Sequence, residues 1–185
     1  MIKNILKNRD SNDLYFLPLG GSGEIGMNFN MYGYKGKWLI IDCGVSFKDN
    51  NVIGADVFMP NIDIISEYNL NICGMFITHA HEDHIGGVHH LWPYLKCPIV
   101  TTPFSGYLLE QRLIDAGLLQ KVKLKIVKKE SKFNIGPFNL ELVNISHSIL
   151  ESNSVMITVG EKKIFHTGDW KIDEESYIAN KPNSK

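Results

Sequence analysis

Short apolar blocks separated by turn residues make up most of this chain, and their period switches from strand to helix and back. Residues 14–19 read as a strand, followed by the turn-rich Gly20-Gly21-Ser22-Gly23. Residues 27–34 and 37–42 form a predicted hairpin around Lys35-Gly36. In its second arm Trp38-Leu39-Ile40-Ile41 is apolar throughout, which predicts a strand buried on both faces. Residues 45–60 contain Gly54 and Pro60 and read as a long irregular stretch. Residues 61–68 read as a short helix with Ile62 and Ile65 on one side, and residues 73–78 as the next strand. A helix over 88–92 is expected to stop near Pro93, and 97–101 is another short strand. Ser105 is the expected N-cap of a helix over 106–116, where Leu109, Leu113 and Ala116 keep helical spacing and Gly117 supplies the stop.

From residue 121 the period returns to two. Val122, Leu124 and Ile126 alternate with Lys121, Lys123 and Lys125, which predicts a strand with one wet face. The lysines read as solvating an exposed edge against unwanted pairing, with phosphate binding as the second reading. Residues 133–143, 154–159 and 163–166 continue as hairpin strands, with turns at Gly136-Pro137 and Gly160-Glu161. Strands, helix, strand, helix, strands predict an α/β mixed sheet with helices outside. The expected organisation is a polar lead-in over 1–12, one domain over 13–175 and a polar tail over 176–185.

Composition narrows the class. With 185 residues and 44% hydrophobic content the chain can build one sizeable core and is not a disordered sequence. A net charge of −1 leaves no overall basic footprint for nucleic acid, though a groove can still be locally basic. Cys43, Cys73 and Cys97 are odd in number and lack C-x-x-C spacing, so reduced, mostly buried thiols are expected. No secretory leader pattern and no run of 18 apolar residues occurs, so a cytoplasmic location away from membranes is expected.

The chemistry is concentrated at His79-Ala80-His81-Glu82-Asp83-His84, directly after the predicted strand 73–78 and before Gly86-Gly87. Neutral imidazoles with a carboxylate suit zinc or another divalent transition metal. His79 and His81 are two apart, so on extended backbone they point the same way. Adjacent Asp83 and His84 are expected to diverge towards a second metal position. His89 and His90 read as surface residues. Asp42, His147 and Asp169 each follow a predicted strand, where scaffolds display functional groups. Taken singly, Asp42 could be a turn residue, His147 a surface residue and Asp169 an aspartate beside a glycine turn. Cys43 should face away from Asp42.

These segments resemble the metallo-β-lactamase superfamily, whose hallmark is an H-x-H-x-D-H loop, and within it the ribonuclease J family. The carriers are Gly20-Gly21-Ser22-Gly23-Glu24-Ile25-Gly26-Met27-Asn28, Ile40-Ile41-Asp42-Cys43-Gly44, the stretch from Phe76 to Gly87, His147-Ser148-Ile149, and the stretch from His166 to Asp173. The resemblance implies the N-terminal portion of an αββα sandwich. It implies His79, His81 and His147 on one metal, Asp83 and His84 on a second, and Asp169 bridging both. Asp42 would orient a ligand by hydrogen bonding, and His166 would be structural. Residues 20–26 are no P-loop, since no Gly-Lys-Ser/Thr follows; they are expected to form a tight hairpin beside the metal site.

The implied cofactors are two divalent ions, zinc or alternatively manganese, and the implied reaction is attack on an RNA phosphodiester by a two-metal-activated hydroxide, with Asp83 in the catalytic set. Full-length ribonuclease J is much longer. The resemblance therefore implies that a β-CASP domain and one further histidine of the second metal position lie outside this chain. The expectation is a fragment with a weakened second site and little or no activity alone, its candidate partners being further copies of itself in an oligomer or a separately encoded β-CASP half. The competing readings are a hydrolase of a small substrate in the same superfamily and a non-catalytic remnant or split-gene subunit.

Overall fold

The computed structural model describes residues 12–47 and 56–171. Most of the expected lead-in and tail, residues 48–55 of the expected irregular stretch, and Ile172-Asp173 lie outside the described residues. The chain runs β1 (Leu14–Gly20), β2 (Phe29–Tyr34), β3 (Lys37–Ile41), β4 (Ser46–Phe47), β5 (Val57–Phe58), α1 (Asp63–Glu67), β6 (Asn71–Phe76), α2 (Glu82–Ile85), α3 (Val88–Leu95), β7 (Ile99–Thr101), α4 (Pro103–Asp115) and β8 (Leu124–Ile126). It closes with β9 (Lys132–Ile135), β10 (Phe138–Asn144), β11 (Asn153–Val159) and β12 (Lys162–His166).

Two sheets result. One has six strands in the order β1-β2-β3-β6-β7-β8. Its first three are antiparallel, and β3, β6, β7 and β8 are parallel. The other is an antiparallel sheet in the order β12-β11-β10-β9. The alternation along β3 shows why the six-stranded sheet is central. Trp38 and Ile40 pack with Met75, Leu91, Trp92 and Leu109 on the helical side, while Leu39 and Ile41 pack with Phe76, Phe138, Leu140 and Ile157 between the sheets. A run apolar at every position is what a doubly covered strand requires. Gly74 permits the close approach of the sheets, because a Cβ there would lie 2.6 Å from Ile135 Cγ2. The fold is thus a mixed α/β sandwich.

Several elements differ from the sequence expectation. The helix expected over 106–116 begins at Pro103, with Thr102 as the extended N-cap residue. Proline at the first helical position needs no N–H partner and brings the correct φ. Ser105 therefore lies inside the helix, buried. The helix expected to stop near Pro93 runs on to Leu95. Burial of Trp92 and Leu95 holds its last turn, and Trp92 Nε1–H donates to the Cys97 carbonyl at 2.8 Å. The strand expected over 121–126 shrinks to β8, preceded by a turn, and Ile126 is exposed rather than buried. The irregular stretch contains the small pair β4–β5.

Candidate metal centre

The parallel strands β3 and β6 deliver their C-terminal ends side by side. Beyond β6, Ile77 N–H donates to the Val100 carbonyl at 3.0 Å, keeping the chain extended into His79. The single turn of α2 starts at His81, whose carbonyl accepts from Ile85 N–H at 2.9 Å. Three successive α2 carbonyls are then captured from outside: Glu82 by Val45 N–H, Asp83 by Asn28 N–H and His84 by Cys43 N–H, at 2.8–3.0 Å. An isolated helical turn is unstable on its own, so these bonds fix the loop. Gly44 is required here, since any Cβ would collide with the Asp83 carbonyl.

Asp42 is fully buried and sits in the left-handed region at φ 65°. Its carboxylate accepts from Thr78 N–H at 2.7 Å and from the Thr78 hydroxyl at 2.9 Å, and lies 2.8 Å from His84 Nδ1. Burial alone would raise the Asp42 pKa, but His84 and its neighbouring histidines bring it below its ordinary value. Burial alone would lower the His84 pKa, yet Asp42, Asp169 and Asp83 together raise it to about 10. Asp42 thereby directs the Nδ1 proton of His84 towards itself and leaves Nε2 facing the open site.

The other imidazoles converge. His79 Nε2 and His147 Nε2 each lie 3.1 Å from His81 Nδ1. Nitrogens around a tetrahedral zinc, with Zn–N of about 2.0–2.1 Å, are separated by about 3.3 Å, so this spacing fits a cation of that size. Burial and the nearby histidines hold the His79 pKa down at about 3, which keeps its lone pair available. Asp169, 42% exposed, places Oδ1 3.4 Å from His84 Nε2 and Oδ2 3.7 Å from His147 Nε2. Its bond with His84, against the effect of burial, brings its pKa to about 2. Two groups of donor atoms, each within 4.8 Å of one another, could hold a divalent ion: His79, His81 and His147, and His79, His84 and Asp169.

Asp83 belongs to neither group. Instead of diverging from His84, its Oδ2 lies 3.6 Å from His84 Nε2, at the rim and 29% exposed. One helical turn braced by three external hydrogen bonds leaves both side chains leaning over the same space. His166 stands apart, with Nδ1 2.9 Å from the Tyr32 hydroxyl. His89 and His90 stack on each other on α3, half-buried and exposed, outside both groups. Cys43 is buried on the helical side, its thiol pushed well above the ordinary range by burial, and Cys73 and Cys97 are also free thiols.

Three contacts were not legible as site features. Asn28 Nδ2 lies 3.3 Å from Asp83 Oδ2 and 3.0 Å from His84 Nε2. Thr78 links Asp42 to His79, with Oγ1 3.0 Å from His79 Nδ1. Arg112 on α4 forms a two-pronged ion pair with Glu82, one prong at 2.8 Å. Only the glycine-rich run before Asn28 marks it in the sequence; nothing in the spacing couples Arg112 to Glu82.

A family model described as Beta-lactamase superfamily domain matches residues 37–181. Ribonuclease J of Sinorhizobium meliloti is 41% identical over 171 residues, covering 90% of this chain and 30% of that protein. Ribonuclease J of Helicobacter pylori strain 26695 is 38% identical over 157 residues, covering 84% of this chain and 23% of that protein. The chain therefore spans less than a third of the length of these relatives. The metallo-beta-lactamase fold protein YhfI from Bacillus subtilis superposes with a TM-score of 0.63 at 14% identity, over 89% of this chain and 65% of that one. Zn2+-bound PqqB from Methylobacterium extorquens does so at 0.53 and 14% identity, over 75% and 51%. At such identities the structural neighbours speak for the fold alone; the histidine and aspartate cluster is compatible with a divalent metal. No helix among the described residues is long and apolar enough to cross a membrane. The family model assigns the descent: this chain belongs to the beta-lactamase superfamily and has Ribonuclease J proteins as homologues.

Proposed function

We propose that this chain contributes the metal-binding part of a Ribonuclease J-like phosphodiesterase that hydrolyses RNA. The observation that carries the reading is the convergence of His79, His81, His84, His147 and Asp169 from three separate segments, in a chain whose relatives bear that name. His79, His81 and His147 would hold one divalent ion, and His84 with Asp83 a second, with Asp169 reaching both. Three imidazoles favour zinc at the first position; the carboxylate-rich second position also suits manganese. When bound, such ions supply Lewis-acid stabilisation and a water of lowered pKa.

The chain's own residues prepare that chemistry. Asp42 holds His84 so that Nε2 faces the site. Burial keeps His79 neutral. Asp83, at the rim of the site, would both hold the second ion and take a proton from an attacking water. The test is incubation of the purified chain with zinc or manganese and a 5′-monophosphorylated RNA, alone and with the remaining portion of a Ribonuclease J supplied in trans. Cleavage that disappears in His81→Ala supports the reading. No cleavage under either condition, with metal bound, overturns it.

A further inference from the structure

Charge is segregated along this chain. Residues 121–132 contain six lysines and one acidic residue, a net of +5 in a chain whose total is −1, so the rest carries −6. All six lysines are exposed. Their setting is the open edge of the sandwich, where β8 ends one sheet and β9 ends the other. Lys125 bridges the two edges, with Nζ 5.9 Å from the centre of the Phe133 ring on β9. Lys129 and Lys132 have acidic neighbours, Glu151 at 4.0 Å and Glu141 at 2.9 Å. Lys121, Lys123 and Lys128 form no ion pair among the described residues.

The register ties this edge to the metal centre. Phe76, Val100 and Lys125 lie in one row across β6, β7 and β8, and Val127 N–H donates to the Thr101 carbonyl at 2.9 Å. Lys128 and Lys129 therefore emerge at the same end of the sheet as His79, two strand spacings or about 10 Å away. Glu151, which Lys129 approaches, follows the loop that carries His147. The edge is also flanked by apolar surface. Between α4 and β8 runs a groove of about 480 Å³ lined by Tyr107, Leu119, Val122, Leu124 and Ile126, with Glu110 on its wall. Tyr107 is 62% exposed and Ile126 47%.

Resting on the function proposed above, we infer that this lysine edge is the track on which a single-stranded RNA approaches the metal centre. A basic rail beside exposed aromatic and aliphatic surface matches the way single strands are held, phosphates on cations and bases on apolar faces. Protecting an edge from strand pairing needs an occasional charge; six lysines against one acid exceed that need. Lys121, Lys123, Lys125 and Lys128 contact phosphates, and Tyr107 and Ile126 receive bases.

The experiment measures binding of an unstructured, fluorescein-labelled RNA to the full chain by anisotropy, in EDTA and across a salt series. Each phosphate neutralised on a single strand contributes about −0.7 to the slope of log K against log salt. The variant Lys121→Gln/Lys123→Gln/Lys125→Gln/Lys128→Gln is expected to weaken binding at least tenfold at low salt and to flatten the slope by about 3. A control with Lys35→Gln/Lys37→Gln/Lys163→Gln should stay within twofold of the parent. As a second measurement, RNA should shield Lys121, Lys123, Lys125 and Lys128 of the unaltered protein from acetylation while Lys35 and Lys37 remain reactive. Unchanged affinity and slope in the quadruple variant, or uniform shielding, overturns the inference. Competition by polyglutamate at the same charge concentration as RNA overturns it too, since the edge would then be a general polyanion surface. The cleavage assay is separate: cleavage with an inert lysine edge leaves the function standing and removes the track, whereas edge binding without cleavage does the reverse.

Discussion

Asp42→Asn separates folding from ligand orientation. The site tolerates the change sterically, because Asp42 occupies the left-handed backbone region at φ 65°, which asparagine enters as readily as aspartate. The carbonyl oxygen of the new side-chain amide can still accept from Thr78 N–H, the 2.7 Å bond of the parent. What changes is the partner of His84 Nδ1, 2.8 Å away. A carboxylate accepts a proton there; an amide NH2 turned towards it donates one. His84 must then carry its proton on Nε2, the atom facing Asp169 and Asp83. Losing one charge-assisted hydrogen bond costs about 1.5–3 kcal/mol, or about 3–12 °C in Tm at about 2–4 °C per kcal/mol for a chain of this size. The effect on metal should be larger in proportion, since changing the partner of a ligating histidine typically lowers affinity about 10–100-fold. Titration of zinc against a chromophoric chelator should show the His84 position weakened by that factor and the His79, His81 and His147 position within threefold of the parent. Imidazole nitrogen spectra of the zinc-loaded protein should show His84 protonated on Nδ1 in the parent, with that signature lost in the variant. If both metal affinities and the His84 tautomer are unchanged, the claim that Asp42 orients this ligand is wrong.

Four further outcomes are expected. Gly44→Ala should destabilise the fold by about 2–4 kcal/mol, because the new Cβ meets the backbone of Asp83 rather than a movable side chain; a Tm within 2 °C of the parent would contradict that packing. Phe138→Ala, at a fully buried position between the sheets, should cost about 3–5 kcal/mol in urea unfolding, and a loss under 1 kcal/mol would mean that the sheets are not closed over it. Arg112→Ala should cost only about 0.5–1 kcal/mol, since the Arg112 and Glu82 side chains are 26% and 45% exposed; a double-mutant cycle with Glu82→Ala checks this, and coupling above 2 kcal/mol would be too large for a screened pair. Zinc at 100 times its Kd should stabilise the parent by about 2.7 kcal/mol, with most of the gain absent in His81→Ala and reversed by EDTA; equal stabilisation of both proteins would place the ion elsewhere.

The legible part of this molecule is the part written in local pattern. The all-apolar run Trp38-Leu39-Ile40-Ile41 announces a strand covered on both faces, and the structure covers it with helices on one side and a sheet on the other. The hairpin turns at Lys35-Gly36 and Gly136-Pro137 fall where expected because positive φ at Lys35, Gly36 and Gly136 belongs to tight turns. The misjudged elements are those where tertiary context outweighs the local signal. Pro93 stays inside a helix because Trp92 and Leu95 are buried beneath it. The strand expected over 121–126 loses its first half because β7 is only three residues long and offers no longer partner. The same logic applies at the centre. The spacing of His79 and His81 foretells their proximity, but the approach of Asn28 to Asp83 spans 55 positions and that of Arg112 to Glu82 spans 30. Neither follows from any local period.

The two donor groups present unlike electrostatics, and this bears on how they would fill. Around His79, His81 and His147 the donors are imidazoles, and burial lowers the His79 and His147 pKa values. A cation there would be held by lone pairs and would bring its own charge into a poorly solvated place. Around His84 three carboxylates gather: Asp42 at Nδ1, and Asp83 and Asp169 at Nε2. A proton on His84 offsets one of those three charges, which is why its pKa rises to about 10. An ion on Nε2 would displace that proton, so its two positive charges would face three carboxylates. Filling that position would thus exchange a held proton for a cation, whereas filling the three-histidine position displaces no proton from His79. Uncharged imidazole donors favour zinc, and charged oxygen donors accept manganese more readily. Under the function proposed above, a site built from both would bind two ions of different demand side by side, with Asp169 as the carboxylate that approaches both His84 and His147.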